Sequence, residues 1–350
     1  MSEPRRPLFR REERHEFRYH LSISIAAALS WLAWLTPGPV RYWIADRIGE
    51  IFCRCTHTYR DNVESNVSQV IGPSDPERVN RAVISIFRMS ARNFADLITL
   101  PRVSRDRLLN QVQVAKGSWQ LVEDALAEGR GVIFVSAHLG CFDMVGAALW
   151  ARGYKLTIVT GRTTSRFIFD GVTYLRASRG TTMIEPTPGG VRKVIRALRE
   201  NECTVFVADR DYFQNGRPVT FFGRTTSLPP GPIRIARDTG AVVIPIMPRR
   251  IGNRHEIDLL EPFTVPKTDD FEADMDAGFG RLIPALEYGI RTRVDQWVMF
   301  QRTWRDIPAP AVRVFPVGSP LESELLEKVA QALPERAGPG KIGSRRSDGD

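Results

Sequence analysis

The chain of 350 residues is 43% hydrophobic and 25% charged, an ordinary globular mixture that excludes global disorder and collagen-like repeats. Its four cysteines, Cys53, Cys55, Cys141 and Cys203, form no zinc-type CxxC pair and are too sparse for a disulfide framework. The net charge of +9 points to anionic partners, a phosphate-rich surface being the obvious one; all but six of the 49 basic residues are arginine, a bias that suits bidentate phosphate binding but that a G- and C-rich base composition produces as well.

Residues 1–20 carry Arg5, Arg6, Arg10, Arg11, Arg14 and Arg18, and residues 21–40 carry no charge. A basic stretch before an apolar one has the look of a signal peptide, but Trp31, Trp34 and Leu35 stand where a small-residue cleavage site belongs. Pro37 and Pro39 end the apolar helix after about 16 residues, short of the ~20 that a spanning helix needs. Two readings stay open: a helix lying in a membrane interface through its tryptophans, or a buried core helix. A single span comes third.

Helical periodicity covers 40–66 and 76–100, where Val79, Val83, Ile86 and Phe87 share a face. Ser118 caps a further helix and Gly129 stops it. From 131 onward apolar strands alternate with helices. The strands are expected at 131–137, 155–160, 203–209, 241–247 and 256–263. The helices are expected at 142–152, 167–179, 191–198 and 229–240, with a last helical stretch through Leu282, Leu286 and Ile290 and then Trp297, Phe300 and Trp304. This alternation predicts an α/β fold, a central mostly parallel sheet with helices on both faces, behind an N-terminal helical layer. The expected division is a basic arm and apolar membrane-interacting helix (1–38), a helical layer (39–115), an α/β body (116–306) and an extension (307–350), disordered from about 334 on its composition.

Strand 131–137 runs into His138-Leu139-Gly140-Cys141-Phe142-Asp143. Reactive side chains of α/β folds gather at the C-terminal ends of strands. Inside one helix a five-residue step turns two side chains about 140° apart, given 3.6 residues per turn. His138 in the turn and Asp143 in the first helical turn can nonetheless meet, and an ionised Asp would hold one imidazole nitrogen and leave the other as a general base. The plainer reading is a core histidine beside a helix-capping Asp. Cys141, between the two, has two readings: a thiol activated by the neighbouring histidine to carry an acyl group, or packing and pocket lining.

A second block follows: Asp209-Arg210-Asp211-Tyr212, then Phe221-Phe222-Gly223, then Leu228-Pro229-Pro230-Gly231-Pro232. With His138-x4-Asp143, and with Arg176 and Gly180 between the blocks, the chain over roughly residues 25–306 resembles the bacterial lipid A biosynthesis acyltransferases and their relatives that acylate phosphatidylinositol mannosides, within the wider lysophospholipid acyltransferase group. The resemblance implies an enzyme in which His138, oriented by Asp143, deprotonates a hydroxyl of a glycolipid or phospholipid. That hydroxyl then attacks an acyl thioester carried by acyl carrier protein or coenzyme A. It further implies Arg176 and Arg210 on phosphate groups or the oxyanion, Asp209 bracing His138, and no metal or other cofactor. Asp211 and Arg162 are candidate substrate contacts; a solvated turn and a solvated loop charge are their bland alternatives.

Two rival classes remain. Asp209-x-Asp211 at a strand end could hold a divalent metal and a nucleotide sugar in a glycosyltransferase, which would leave His138 and Asp143 without a role. A non-catalytic membrane-binding protein is the other. No nucleic-acid-binding motif is present. The expected location is the cytoplasmic face of the inner membrane, with the acyl donor, a lipid acceptor and an anionic membrane surface as partners.

Overall fold

The computed structural model describes residues 11–72, 74–114, 118–161 and 165–304. Arg5, Arg6, Arg10, Arg162 and the extension expected to be disordered lie outside these residues. Four helices precede the sheet: α1 (Arg11–Leu35), α2 (Gly38–Cys55), α3 (His57–Ile71) and α4 (Pro76–Thr99). After α5 (Arg105–Gln111), β1 (Val112–Val114) and α6 (Ser118–Ala127) the chain alternates through β2 (Val132–Ser136), α7 (Phe142–Ala151), β3 (Leu156–Val159), α8 (Arg166–Ala177), β4 (Thr182–Ile184), α9 (Pro188–Arg199) and β5 (Cys203–Val207). A hairpin of β6 (Arg217–Phe221) and β7 (Arg224–Leu228) interrupts the alternation. The fold then closes with α10 (Gly231–Thr239), β8 (Val242–Ile251), β9 (Arg254–Leu259) and α11 (Phe271–Thr292).

Seven strands form one sheet in the order β1-β9-β8-β2-β5-β3-β4. From β8 to β4 all neighbours are parallel; β9 runs antiparallel to β8, and β1 runs parallel to β9. The mostly parallel α/β sheet is therefore as expected. Central β2 is buried at every position, as a strand covered on both faces must be. Its side chains alternate between two cores. Ile133 and Val135 pack with Phe279, Leu282 and Ile290 of α11, and Val132 and Phe134 pack with Val145, Ala148 and Leu149 of α7.

The structure departs from the sequence reading along the helices, in the short strands and at a hairpin. The helix expected over 40–66 breaks at Thr56 into α2 and α3. Strands β1 and β4, three residues each, are too short to show a period. The hairpin turns at Phe222 and Gly223, both with positive φ (49° and 73°), as a two-residue turn between twisted strands requires.

The first helix is longer than its apolar run, 25 residues. Among the described residues no helix is long and apolar enough to cross a membrane. Its amphipathicity is reversed. Small residues Ser22, Ala26 and Ser30 form its buried stripe. Ser22 and Ala26 sit against Gly171 of α8, and Ser22 Oγ donates to the Phe167 carbonyl at 2.5 Å. The large side chains Leu21, Ile25, Leu29, Leu32 and Leu35 face outward. The next helix does likewise, exposing Val40, Trp43, Ile44, Ile48 and Ile51. Surface helices of water-soluble domains do the opposite, and apolar faces of this extent mark an interaction surface.

Candidate active site

The register of β2 on β5 builds the site. Ser136 stands opposite Val207, so two residues further along each strand His138 and Asp209 emerge side by side at the C-terminal edge of the sheet. Asp209 is fully buried and His138 is 28% exposed. His138 Nδ1 lies 2.7 Å from Asp209 Oδ1. The other oxygen, Oδ2, accepts from the His138 backbone N–H at 2.9 Å and from the Trp297 indole N–H at 2.7 Å. Burial pushes the Asp209 carboxyl up. The facing His138 and the hydrogen bonds from His138 and Trp297 outweigh it and hold the group below the ordinary carboxylate range. Nδ1 being occupied, Nε2 is the ring nitrogen left for chemistry, and among the described residues it has no hydrogen-bond partner.

The backbone of the turn is fixed as firmly. The His138 carbonyl accepts from Val298 N–H at 2.7 Å, and Gly140 N–H donates to the Gln296 carbonyl at 3.1 Å. Asn93 Nδ2 reaches the Gly140 carbonyl at 2.5 Å. Gly140 has φ of 53°, and a Cβ there would meet the Pro248 carbonyl oxygen at 2.7 Å, so both conformation and space call for glycine.

Asp143 is placed differently from the expectation that it orients His138. It sits in the first turn of α7, and its carboxylate is taken by Arg176 of α8, Nε to Oδ1 at 2.7 Å and Nη2 to Oδ2 at 3.2 Å. The five-residue step carries its side chain round the helix toward α8, while the neighbouring strand delivers Asp209 to the imidazole. Arg176, expected on substrate, thus spends two of its nitrogens on Asp143; Nη1 lies 3.5 Å from Thr160 Oγ1.

Asp211 organises a turn: its Oδ2 accepts from Gly216 N–H at 2.8 Å and Ser227 Oγ at 2.5 Å. Arg210 is half-buried, its guanidinium 5.3 Å from the centre of the Tyr212 ring. Cys141 is buried, and burial pushes its thiol well above the ordinary range, as for a packing residue and not a nucleophile.

Donor atoms of Asp96, Cys141 and His255 lie within 4.8 Å of one another. This group makes a poor metal centre, because the buried Arg250 guanidinium already pairs with Asp96 Oδ2 and the thiol stays protonated. The sequence reading gives Trp297 a place in the last helical stretch and no role at the site: it lies 88 positions beyond Asp209, and only the fold brings the two together.

A family model described as bacterial lipid A biosynthesis acyltransferase matches residues 7–306. The chain is 27% identical over 193 residues to a phosphatidylinositol mannoside acyltransferase of Mycobacterium tuberculosis, covering 54% of this chain and 61% of that protein. It is 28% identical over 251 residues to the enzyme of that name from Mycolicibacterium smegmatis, covering 70% and 79%. To a lipid A biosynthesis acyltransferase of Haemophilus influenzae it is 26% identical over 129 residues, covering 37% and 40%.

Proposed function

We propose that this chain, which belongs to the bacterial lipid A biosynthesis acyltransferase family, moves a fatty acyl group from a thioester of acyl carrier protein or coenzyme A to a hydroxyl of a glycolipid. The observation that carries this reading is the dyad of His138 and Asp209, with Nδ1 bound and the ring partly exposed. Nε2 takes the proton of the acceptor hydroxyl as its oxygen bonds to the thioester carbonyl carbon. The carbonyl electrons move to oxygen and return as the carbon–sulfur bond breaks. The leaving sulfur then receives the proton from Nε2. Asp209, already below the carboxylate range, balances the imidazolium in between. The thioester is activated from the start, so no protein nucleophile enters. Asp143 and Arg176 form the adjoining wall as an ion pair, and Arg210 faces the acceptor or the developing oxyanion.

Among acceptors we favour a phosphatidylinositol mannoside, the substrate named in two of the relatives. The protein works on the cytoplasmic face of the inner membrane, held through the outward apolar faces of α1 and α2. The reversed amphipathicity of α1 supports this, as does a cationic chain meeting an anionic leaflet.

The metal-dependent glycosyltransferase reading is weaker on one observation. The oxygens of Asp209 are committed to three protein donors, and Asp211 Oδ2 is committed to two.

The test is direct. Purified protein is incubated with acyl-coenzyme A or acyl-acyl carrier protein and with phosphatidylinositol mannosides or lipid A precursors, and the lipids are weighed by mass spectrometry. An acceptor heavier by one acyl chain is expected, with no such product from His138→Ala. A folded His138→Ala variant at full turnover overturns the mechanism, and loss of activity on adding a chelator revives the metal reading.

A further inference from the structure

A cavity of about 250 Å3 lies at the elbow between α1 and α2, and its wall contains none of His138, Asp143, Arg176 or Asp209. One side is apolar, with Trp34, Leu35 and Met144; another is basic, with Arg41 and Arg107; Tyr42, Asp96 and His255 line it as well. Trp34 and Leu35 are also exposed members of the outward face of α1, so the rim of the cavity is continuous with that face.

The charges do not cancel. Asp96 is paired with Arg250 and accepts from the Tyr42 hydroxyl at 2.6 Å. Burial above all, and then the charge of Arg250, lowers the His255 pKa to about 4, so this ring is neutral at physiological pH. Arg41 and Arg107 are left as the uncompensated charges of the lining. Arg41 bonds through Nη1 to the Ala33 and Thr36 carbonyls at 3.0 and 3.3 Å, which fixes it at the end of α1. Among the described residues its buried Nε has no partner, and neither has Nδ1 of His255, a residue only 2% exposed. Buried polar atoms without a partner call for a ligand or ordered water, and a mixed apolar and polar concavity is the usual form of a ligand site.

We propose that this cavity binds the headgroup of an anionic phospholipid from the supporting bilayer, its phosphate between Arg41 and Arg107 and its first carbons against Trp34 and Leu35. The site is separate from the acceptor site at His138 and would fix the depth and tilt of the α1–α2 pair. The proposal rests on the membrane placement above. A two-armed experiment separates the failures of the two.

In the first arm the full chain is titrated with dihexanoyl phosphatidylglycerol below its micelle concentration and read by native mass spectrometry. Saturable binding of one lipid is expected, with weaker binding of dihexanoyl phosphatidylcholine and of inorganic phosphate. Arg107→Glu should weaken it about tenfold or more, the worth of a charge-assisted contact. Arg192→Glu, an exposed site on α9 with the same change of charge, should leave it intact. Equal binding of the two lipids, or equal effects of the two substitutions, overturns the proposal. Inorganic phosphate binding as tightly as the lipid also overturns it, because the apolar wall then plays no part.

In the second arm the same proteins are floated with phosphatidylglycerol vesicles. If wild type floats but binds no single lipid in the first arm, the cavity site falls and the membrane placement stands. If wild type binds the short lipid but does not float, the membrane placement falls and takes with it the role of the cavity in seating the protein on a bilayer.

Discussion

Trp297 and Asp209, 88 positions apart, are joined by a hydrogen bond of 2.7 Å from the indole N–H to Oδ2, the oxygen that also accepts the His138 backbone N–H. The indole thereby fixes the carboxylate plane, and the carboxylate fixes the imidazole. Trp297 is a positioning residue, and replacing it with Phe keeps most of the ring volume while deleting the donor. A three- to tenfold loss of turnover is expected, roughly the net worth of one hydrogen bond. A carboxylate with one donor fewer is more basic and holds the shared proton of the dyad more tightly, so the acidic limb of kcat/KM should move to higher pH. A purely packing role would lower the melting temperature and leave that limb in place.

The two aspartates near His138 should separate cleanly. Asp209→Asn removes the partner of Nδ1 and should cost about 10²–10⁴-fold in turnover, the range of general-base catalysis. Asp143→Asn disturbs the pair with Arg176 and should cost less turnover. Steady-state kinetics on both variants, with melting curves to exclude unfolding, check the order. Equal losses would return Asp143 to the imidazole.

Arg176→Lys tests the fork. Lysine cannot make both contacts to Asp143, and the pair is mostly buried, with side-chain exposures of 22% and 10%. A destabilisation of about 1–3 kcal/mol is expected, the cost of an imperfectly matched buried charge. Thermal or urea unfolding measures it. An unchanged melting temperature with weakened substrate binding would mean that Arg176 serves the substrate first.

Membrane attachment should depend on both helices. Placing Asp at Trp43 or Ile48, exposed on α2, should reduce binding to anionic vesicles as clearly as placing it at Leu32 on α1. Salt should weaken binding without abolishing it, because screening acts on charge and not on apolar burial. Wild-type binding in the α2 variants, by co-sedimentation, would confine the attachment to α1.

His255 predicts a pH dependence of stability. Its folded pKa is lowered from 6.5 to about 4. Between these values the unfolded chain takes up a proton that the folded chain refuses, so stability falls as pH drops through this window, by up to about 3 kcal/mol. His255→Gln cannot titrate, and its melting temperature should fall less steeply between pH 6.5 and 4. Parallel profiles for the two proteins would contradict the assignment.

The placement of His138 was legible because an apolar strand followed by a helix is a local pattern, and the end of such a strand is where α/β chemistry gathers. Its partner was legible only as a candidate. Asp209 meets His138 because β5 is the neighbour of β2, and strand order leaves no mark on a single sequence. Asp143 shows the same limit from the other side, since its spacing allowed the imidazole while α8, packed beside it, supplied Arg176. The periodicity of α2 was visible, but which face looks outward depends on where α4 lies. Trp297 reads as part of the last helical stretch, but α11 ends at Thr292, and nothing local marks the indole as a partner of Asp209.

The bonding of His138 on one side only constrains the reaction proposed for it. With Nδ1 tied to Asp209 and the backbone clamped at both ends of the turn, a flip of the ring would break the bond to Asp209. The proton must therefore arrive and depart at a single atom. In the proposed reaction, acceptor oxygen and departing sulfur would visit Nε2 in succession, within one hydrogen-bond length of the same point. The two substrates must enter from directions that converge there, and a donor or acceptor that approaches from behind the ring is unreactive however tightly it is bound.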